Sequence, residues 1–423
     1  MLAKGRNALY ETVQQARQGG DAIWKGVEQS LQRISEREPS LRAWTHTATL
    51  AQLRDQGEPD AAGSLAGLPF GVKDILNVAG MPTRCGSQAP TGHIEDFDAC
   101  CVAMLRHAGA VPVGKTVTTE YAFRRPGATC NPHHSDHTPG GSSSGSAAAV
   151  AAGVVPLALG TQTGGSMIRP AAFCGVVGFK PSFGGVFRDG LKLTCESLDV
   201  IGWYTNTVAE AALVADVLLP YGGPVQAVDR APRVALVADS PELSLEPEAA
   251  AALQHAAEQL RAHGIVCETP KAFSQAAQLA DIHRVVMEYE LAHSLMSVAR
   301  RHADKLSPGV LETVARGLSI PHDVYLARRR EQQHLRGQWQ DMMGDADLIV
   351  TPSAPGAAPK GLSDTGSSAF NRIWSALGWP CLHLPTQFSD AGLPLGVQLV
   401  GNFEADADLL AWGARIHELI RRN

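Results

Sequence analysis

The stretch Gly67-Leu68-Pro69-Phe70-Gly71-Val72-Lys73-Asp74-Ile75 decides how the chain is read. It is a short apolar run bounded by glycine and proline, the pattern of a buried strand, and it carries Lys73. Outward from it, helix and strand alternate. Residues 99–109 read as a helix leading into a short strand over 110–114, residues 146–153 as a helix followed by a strand over 155–160, and residues 176–180 as a further strand. Such alternation is that of α/β proteins. Toward the N-terminus, apolar residues at helical spacing over 9–38, broken at Gly19-Gly20, predict two helices. Toward the C-terminus, residues 246–261, 276–303 and 321–343 read as helices and 346–350 as a buried strand. A helix over 370–377, strands over 382–384 and 397–400 and a closing helix from Asp406 complete the chain. The glycine- and proline-containing stretch 221–232 reads as a subdomain boundary ahead of a strand over 233–238.

Composition narrows the function classes. The 423 residues are 44% hydrophobic and 18% charged, with a net charge of −6, which is a globular protein with no basic stripe for a phosphate backbone. Nucleic acid is not an expected partner. Residues 1–20 lack the apolar centre of a signal peptide, and the small-apolar run 147–159 is broken by Gly153 and Pro156. Neither export nor membrane insertion is expected, so the predicted location is cytoplasmic. Eight scattered cysteines without a CxxC pair read as reduced, buried thiols, Cys174 among them.

Two loops carry the chemistry: Pro139-Gly140-Gly141-Ser142-Ser143-Ser144-Gly145-Ser146 and Gly160-Thr161-Gln162-Thr163-Gly164-Gly165-Ser166. A serine hydroxyl attacks an amide only when a neighbouring base takes its proton, and the resulting oxyanion needs unobstructed backbone N–H groups. Glycines beside Ser166 leave such donors open. A phosphate-binding loop would need Lys-Ser/Thr after its second glycine, where Ser146-Ala147 stands. A hydrolase nucleophile elbow would need a hydrophobic strand running into residues 141–145, where a polar, proline-bounded loop stands instead. His133, His134 and His137 with Asp136 in that loop suggest a metal or a base; a capped loop is the preferred reading, and zinc is not required. Lys73 is either an ordinary lysine paired with Asp74 or a base. As a base it must be part neutral, and moving its pKa from about 10.4 to near 8 costs roughly 3 kcal/mol, which burial in an apolar strand would supply.

Taken together, residues 140–143, 160–166 and the run Arg169-Pro170-Ala171-Ala172-Phe173-Cys174-Gly175-Val176-Val177-Gly178-Phe179-Lys180-Pro181 resemble the amidase signature family. The resemblance covers residues 68–187 and resumes over 347–401. It implies one α/β/α domain over residues 1–423 with a large mixed twisted sheet surrounded by helices, a catalytic core over 62–220 and a helical cover over 240–345. It further implies a Ser-Ser-Lys triad of nucleophile Ser166, bridging Ser142 on a cis peptide and base Lys73. The N–H groups of Thr163, Gly164, Gly165 and Ser166 form the implied oxyanion hole. Ser143 and Ser144 read as structural. No cofactor or metal is implied, and the family is compatible with a homodimer.

Substrate choice is read at two positions. Arg169, three residues beyond Ser166, either clamps a substrate carboxylate or is a structural arginine paired with a loop carboxylate. Its spacing resembles the malonamidase-like branch, which points to a malonamate-like half-amide. Met287 stands where a polar amide side chain is expected to help, and makes the pocket more apolar. The expected function is a small-molecule amidohydrolase working through an acyl-enzyme. The alternatives are an amidotransferase A-type subunit that delivers ammonia within a complex, and a non-catalytic relative.

Overall fold

A computed structural model describes residues 8–89, 93–219, 224–238, 245–269 and 275–421. Its strands are β1 (Trp44–Thr47), β2 (Pro69–Lys73), β3 (Val111–Thr116), β4 (Leu157–Gln162), β5 (Val177–Lys180), β6 (Val200–Thr205), β7 (Val234–Leu236), β8 (Cys267–Glu268), β9 (Leu348–Pro352), β10 (Cys381–Phe388) and β11 (Pro394–Gly401). They join in one sheet of order β1-β3-β2-β4-β6-β5-β10-β11-β9-β7-β8. β2 runs parallel to both β3 and β4, and β7 parallel to β8 and β9, while the remaining pairs are antiparallel. This is the large mixed sheet, wrapped by helices, that the sequence leads one to expect.

The local reasons are legible. β2 is buried along its whole length, as a strand flanked by two parallel neighbours must be. A Cβ on Gly71 would stand 2.9 Å from Thr116 and 3.1 Å from Trp44, so only glycine lets β1 and β3 close on it. The helix Ser144–Ala151 is buried nearly all round, because its serines, glycine and alanines present no polar face. The helices Ala8–Ala16 and Ala22–Leu41 flank the Gly19-Gly20 break, where both glycines have positive φ. Of the expected boundary, residues 221–223 lie outside the described residues; β7 follows it.

One expectation needed correction, the single helix over 321–343, and two elements were not read from the sequence, β1 and the helix Pro308–Ser319. β1 is a short strand whose one-sided pairing to β3 leaves little periodicity to read. The segment 321–343 holds two helices, His322–Arg336 and Trp339–Met343, and another, Pro308–Ser319, precedes them. Within 240–345, the helix Pro247–Ala262 packs on β9 and β11, whereas the long helix Ala276–Arg301 reaches Thr163 in the loop after β4. Among the described residues no helix is long and apolar enough to cross a membrane.

Candidate active site

Parallel β2 and β4 end side by side, and the residues at their carboxyl ends build the site. Lys73 closes β2, fully buried, with Nζ 2.7 Å from Ser142 Oγ, 2.6 Å from Thr161 Oγ1 and 3.5 Å from Thr161 O. Burial drives its pKa down from 10.5 to about 7, with Asp199 pulling the other way. A neutral amine keeps two N–H bonds and one lone pair. Thr161 offers two acceptors, its hydroxyl and its carbonyl, so the lone pair is left for the Ser142 hydroxyl.

Asp74 does not pair with its neighbour Lys73. Its carboxylate lies 3.3 Å from Lys115 Nζ, both side chains fully buried, and Lys115 also donates to Thr83 Oγ1 at 2.8 Å and Pro82 O at 3.1 Å. The adjacent acid is therefore compensated by another cation. Removing that cation strands a buried charge, so Lys115→Met is expected to cost about 3–5 kcal/mol of stability. Adding Asp74→Asn should recover most of it in a denaturant melt; an unchanged midpoint in the single variant would mean that Asp74 is compensated elsewhere.

The serine-rich loop sits against the end of β4. The Gly141-Ser142 peptide is cis, Gly140 has φ 79°, and Ser142 O accepts from Thr119 N at 3.1 Å. Ser143 Oγ donates to Thr161 O at 3.1 Å and accepts from Thr161 N at 3.2 Å, stitching the two loops together. Ser144 Oγ donates to Val117 O at 3.3 Å. Both serines thus have main-chain partners.

The loop from Thr163 to Ser166 is fixed by its carbonyls. Thr163 O faces His283 Nε2 at 3.0 Å, Gly164 O accepts from Ser375 Oγ at 2.7 Å, Gly165 O from Arg169 N at 3.0 Å and Ser166 O from the Tyr204 hydroxyl at 3.1 Å. In a trans peptide the N–H points opposite the preceding C=O. Holding the carbonyls of 163, 164 and 165 therefore turns the N–H groups of Gly164, Gly165 and Ser166 the other way. Among the described residues none accepts a hydrogen bond from those three N–H groups. A Cβ at Gly165 would stand 2.6 Å from Asn371 Oδ1, which only glycine avoids.

Several of these supports were not singled out from sequence. His283 is buried and its pKa falls to about 4, chiefly by burial, so it stays neutral; facing a carbonyl, its Nε2 carries the proton. It lies one turn before Met287 on the same helix face. Asp199 accepts from Thr163 Oγ1 at 2.5 Å and from the Thr194 and Cys195 main chain at 2.8 and 2.9 Å, and no motif announced it. Gln162 Oε1 accepts from Met167 N at 2.8 Å and Ile168 N at 3.1 Å, folding the loop back on the strand end.

Arg169 is buried, and its guanidinium is directed at main chain. Nη2 and Nε donate to Gly141 O at 2.5 and 3.2 Å, and Nη1 to Gly366 O at 2.6 Å. It pairs within the protein, with loop carbonyls rather than a loop carboxylate. Burial lowers its pKa to about 10, leaving it charged. Met287 is half-buried and packs against the core; its carbonyl accepts from Cys195 Sγ at 3.6 Å. Cys174 is buried, with its thiol pushed up in pKa by burial alone, as expected of a packing residue. His133 and His137 face Cys174 O and Ala358 O, at 2.9 and 2.8 Å, and Asp136 pairs with Lys360.

Comparisons with known proteins match the sequence and the fold of this chain. The Amidase family model matches residues 25–410. The A-type subunit of glutamyl-tRNA(Gln) amidotransferase from a Synechococcus species is 33% identical over 94% of this chain and 93% of that protein. The protein of the same name from Chloroflexus aggregans is 32% identical over 92% and 91%. Native peptide amidase from Stenotrophomonas maltophilia superposes with a TM-score of 0.81 at 28% identity, covering 99% of this chain and 98% of that one. A crystal structure described as an amidase reaches a TM-score of 0.86 at 28% identity over 97% and 99%. With the family model spanning nearly the whole chain, the chain belongs to the amidase signature family.

Proposed function

We propose that this chain is an amidohydrolase that cleaves a small carboxylic amide through an acyl-enzyme on Ser166. The observation that carries the reading is the buried Lys73 amine 2.7 Å from Ser142 Oγ, beneath a loop whose carbonyls are all tied back. Lys73 draws the Ser142 proton as Ser142 takes the proton of Ser166, and Ser166 Oγ attacks the amide carbon. The N–H groups of Gly164, Gly165 and Ser166, with that of Thr163, receive the oxyanion. The C–N bond breaks as the relayed proton reaches the leaving nitrogen, releasing ammonia or an amine. Water then uses the same relay to free the carboxylate and restore Ser166.

The curated relatives favour a second reading, an amidotransferase subunit that releases ammonia from an amide donor within a complex. Turnover of a panel of half-amides, aliphatic amides, aryl amides and glutamine by the purified chain separates the two. Hydrolysis by the chain alone supports the amidohydrolase; glutamine cleavage that needs a copurifying subunit supports the amidotransferase. Lack of turnover in both settings favours a non-catalytic relative.

The substrate reading turns on Arg169. Its hold on Gly141 O and Gly366 O makes it a positioning residue for the Ser142 loop, and favours an uncharged acyl group over the half-amide carboxylate of the malonamidase-like branch. Arg169→Lys cannot span both carbonyls with a single ammonium. It is expected to lower kcat about 10–100-fold on neutral and carboxylate-bearing amides alike. A rise in KM confined to carboxylate-bearing amides would restore the clamp.

A further inference from the structure

In the segment that leads into Gly140-Gly141-Ser142, His137 N donates to His134 O at 3.0 Å and closes a turn. Gly361 N donates to Asp136 O at 2.7 Å, Thr138 N donates to Pro359 O at 3.2 Å, and His137 bridges Lys360. The turn is thus clamped to residues 359–361 before any side chain is considered. On it, His134 Nδ1 contacts Asp136 Oδ1, and His137 Nε2 lies 3.7 Å from the same oxygen. One nitrogen or oxygen from each of the three side chains falls within 4.8 Å of the others.

The protonation of His137 is fixed by its other nitrogen. Nδ1 stands 2.8 Å from Ala358 O, and a carbonyl only accepts, so the proton is on Nδ1. Nε2 then turns a lone pair toward a carboxylate oxygen. Asp136 Oδ1 is screened from water and has no hydrogen-bond donor aligned with it, while Lys360 Nζ sits on the opposite oxygen at 3.0 Å. Two ring nitrogens and a carboxylate oxygen converging on one point, with the outer carboxylate oxygen already paired, describe the surroundings of a cation.

We propose that His134, Asp136 and His137 bind a divalent transition-metal ion of the zinc class, outside the catalytic machinery. Two imidazoles and one carboxylate are the donor set that zinc and its neighbours prefer, and a carbonyl behind the distal nitrogen of one histidine is the usual outer-sphere support. Three protein ligands leave a position for water, and His134 borders a cavity of about 330 Å³. The ion ties together the turn that runs into Gly140-Gly141-Ser142, which main-chain bonds already join to residues 359–361. It braces the frame of the site and takes no part in the reaction.

The test is calorimetric titration of the EDTA-stripped full chain with Zn²⁺. One ion per chain is expected to bind with a micromolar or tighter Kd, and to raise the melting temperature by roughly 3 °C at a hundredfold excess over Kd. His134→Ala and Asp136→Asn remove ligands without removing a backbone contact. Each is expected to weaken binding at least as much as the loss of an outer-sphere partner, about 10–100-fold. His93→Ala, at an exposed histidine elsewhere, should change nothing. Absence of binding below millimolar Zn²⁺ overturns the proposal, as does binding that survives both ligand substitutions and so belongs to the partly exposed Cys100 or Cys267.

Discussion

Lys73→Met is expected to lower kcat by about 10⁴-fold, the upper end of what a positioned base contributes, while the chain stays folded. Methionine fills the same buried strand end without a lone pair, so the relay to Ser142 loses its acceptor and little else. Under the proposed mechanism the free amine is the active form of the wild type. With its pKa near about 7, kcat/KM rises about tenfold per pH unit below that value and levels above it. A variant retaining a tenth or more of the activity would assign the base to another group.

The same shift is visible in stability. The unfolded chain holds the lysine proton up to its ordinary pKa of 10.5, and the folded chain only up to about 7. Between those values unfolding takes up a proton, so stability rises with pH; below about 7 both states are protonated and the contribution is flat at its lowest. The methionine variant lacks this dependence. The unfolding free energy of the wild type, measured against the variant, is therefore expected to climb by about 1.4 kcal/mol per unit from about pH 7.5 to 9.5. A flat difference over that range would mean that Lys73 keeps its proton in the folded state.

The strands nearest the site were readable because they are apolar runs punctuated by glycine and proline. β2 and β4 needed nothing beyond that pattern, and the strand end at Lys73 followed from it. β1 was not readable, being four residues long and paired on one side only. The loops at 140–146 and 160–166 announced themselves by glycines that a close approach demands. Their supports did not. His283 reaches Thr163 from more than a hundred residues away, and Asp199 holds Thr163 from a loop with no motif; contacts of that kind exist only once the sheet has formed. The Asp74 partner likewise had to come from the neighbouring strand, since register alone sets Lys115 beside the end of β2. Arg169 was singled out for its charge and position, but the direction of its guanidinium depends on Gly141 and Gly366, which sequence spacing does not bring together.

Ser166→Ala is expected to have the largest effect of any single change, a loss of turnover of about 10⁶-fold, the scale on which a serine nucleophile is felt when the rest of its triad remains. Alanine leaves the loop carbonyls anchored to His283, Ser375 and Tyr204, so donors and pocket persist and only the attacking oxygen is gone. Ser142 is the competitor for that role. It is 1% exposed with its hydroxyl against Lys73, whereas Ser166 is 8% exposed at the end where the loop N–H groups are unclaimed. A fluorophosphonate probe therefore labels the wild type on Ser166, labels Ser142→Ala slowly because the nucleophile survives without its relay, and leaves Ser166→Ala untouched. Labelling that persists in Ser166→Ala and vanishes in Ser142→Ala would exchange the two serines. The acyl-enzyme would then form directly beside the amine, and the oxyanion would lie away from the donors of Gly164 and Gly165.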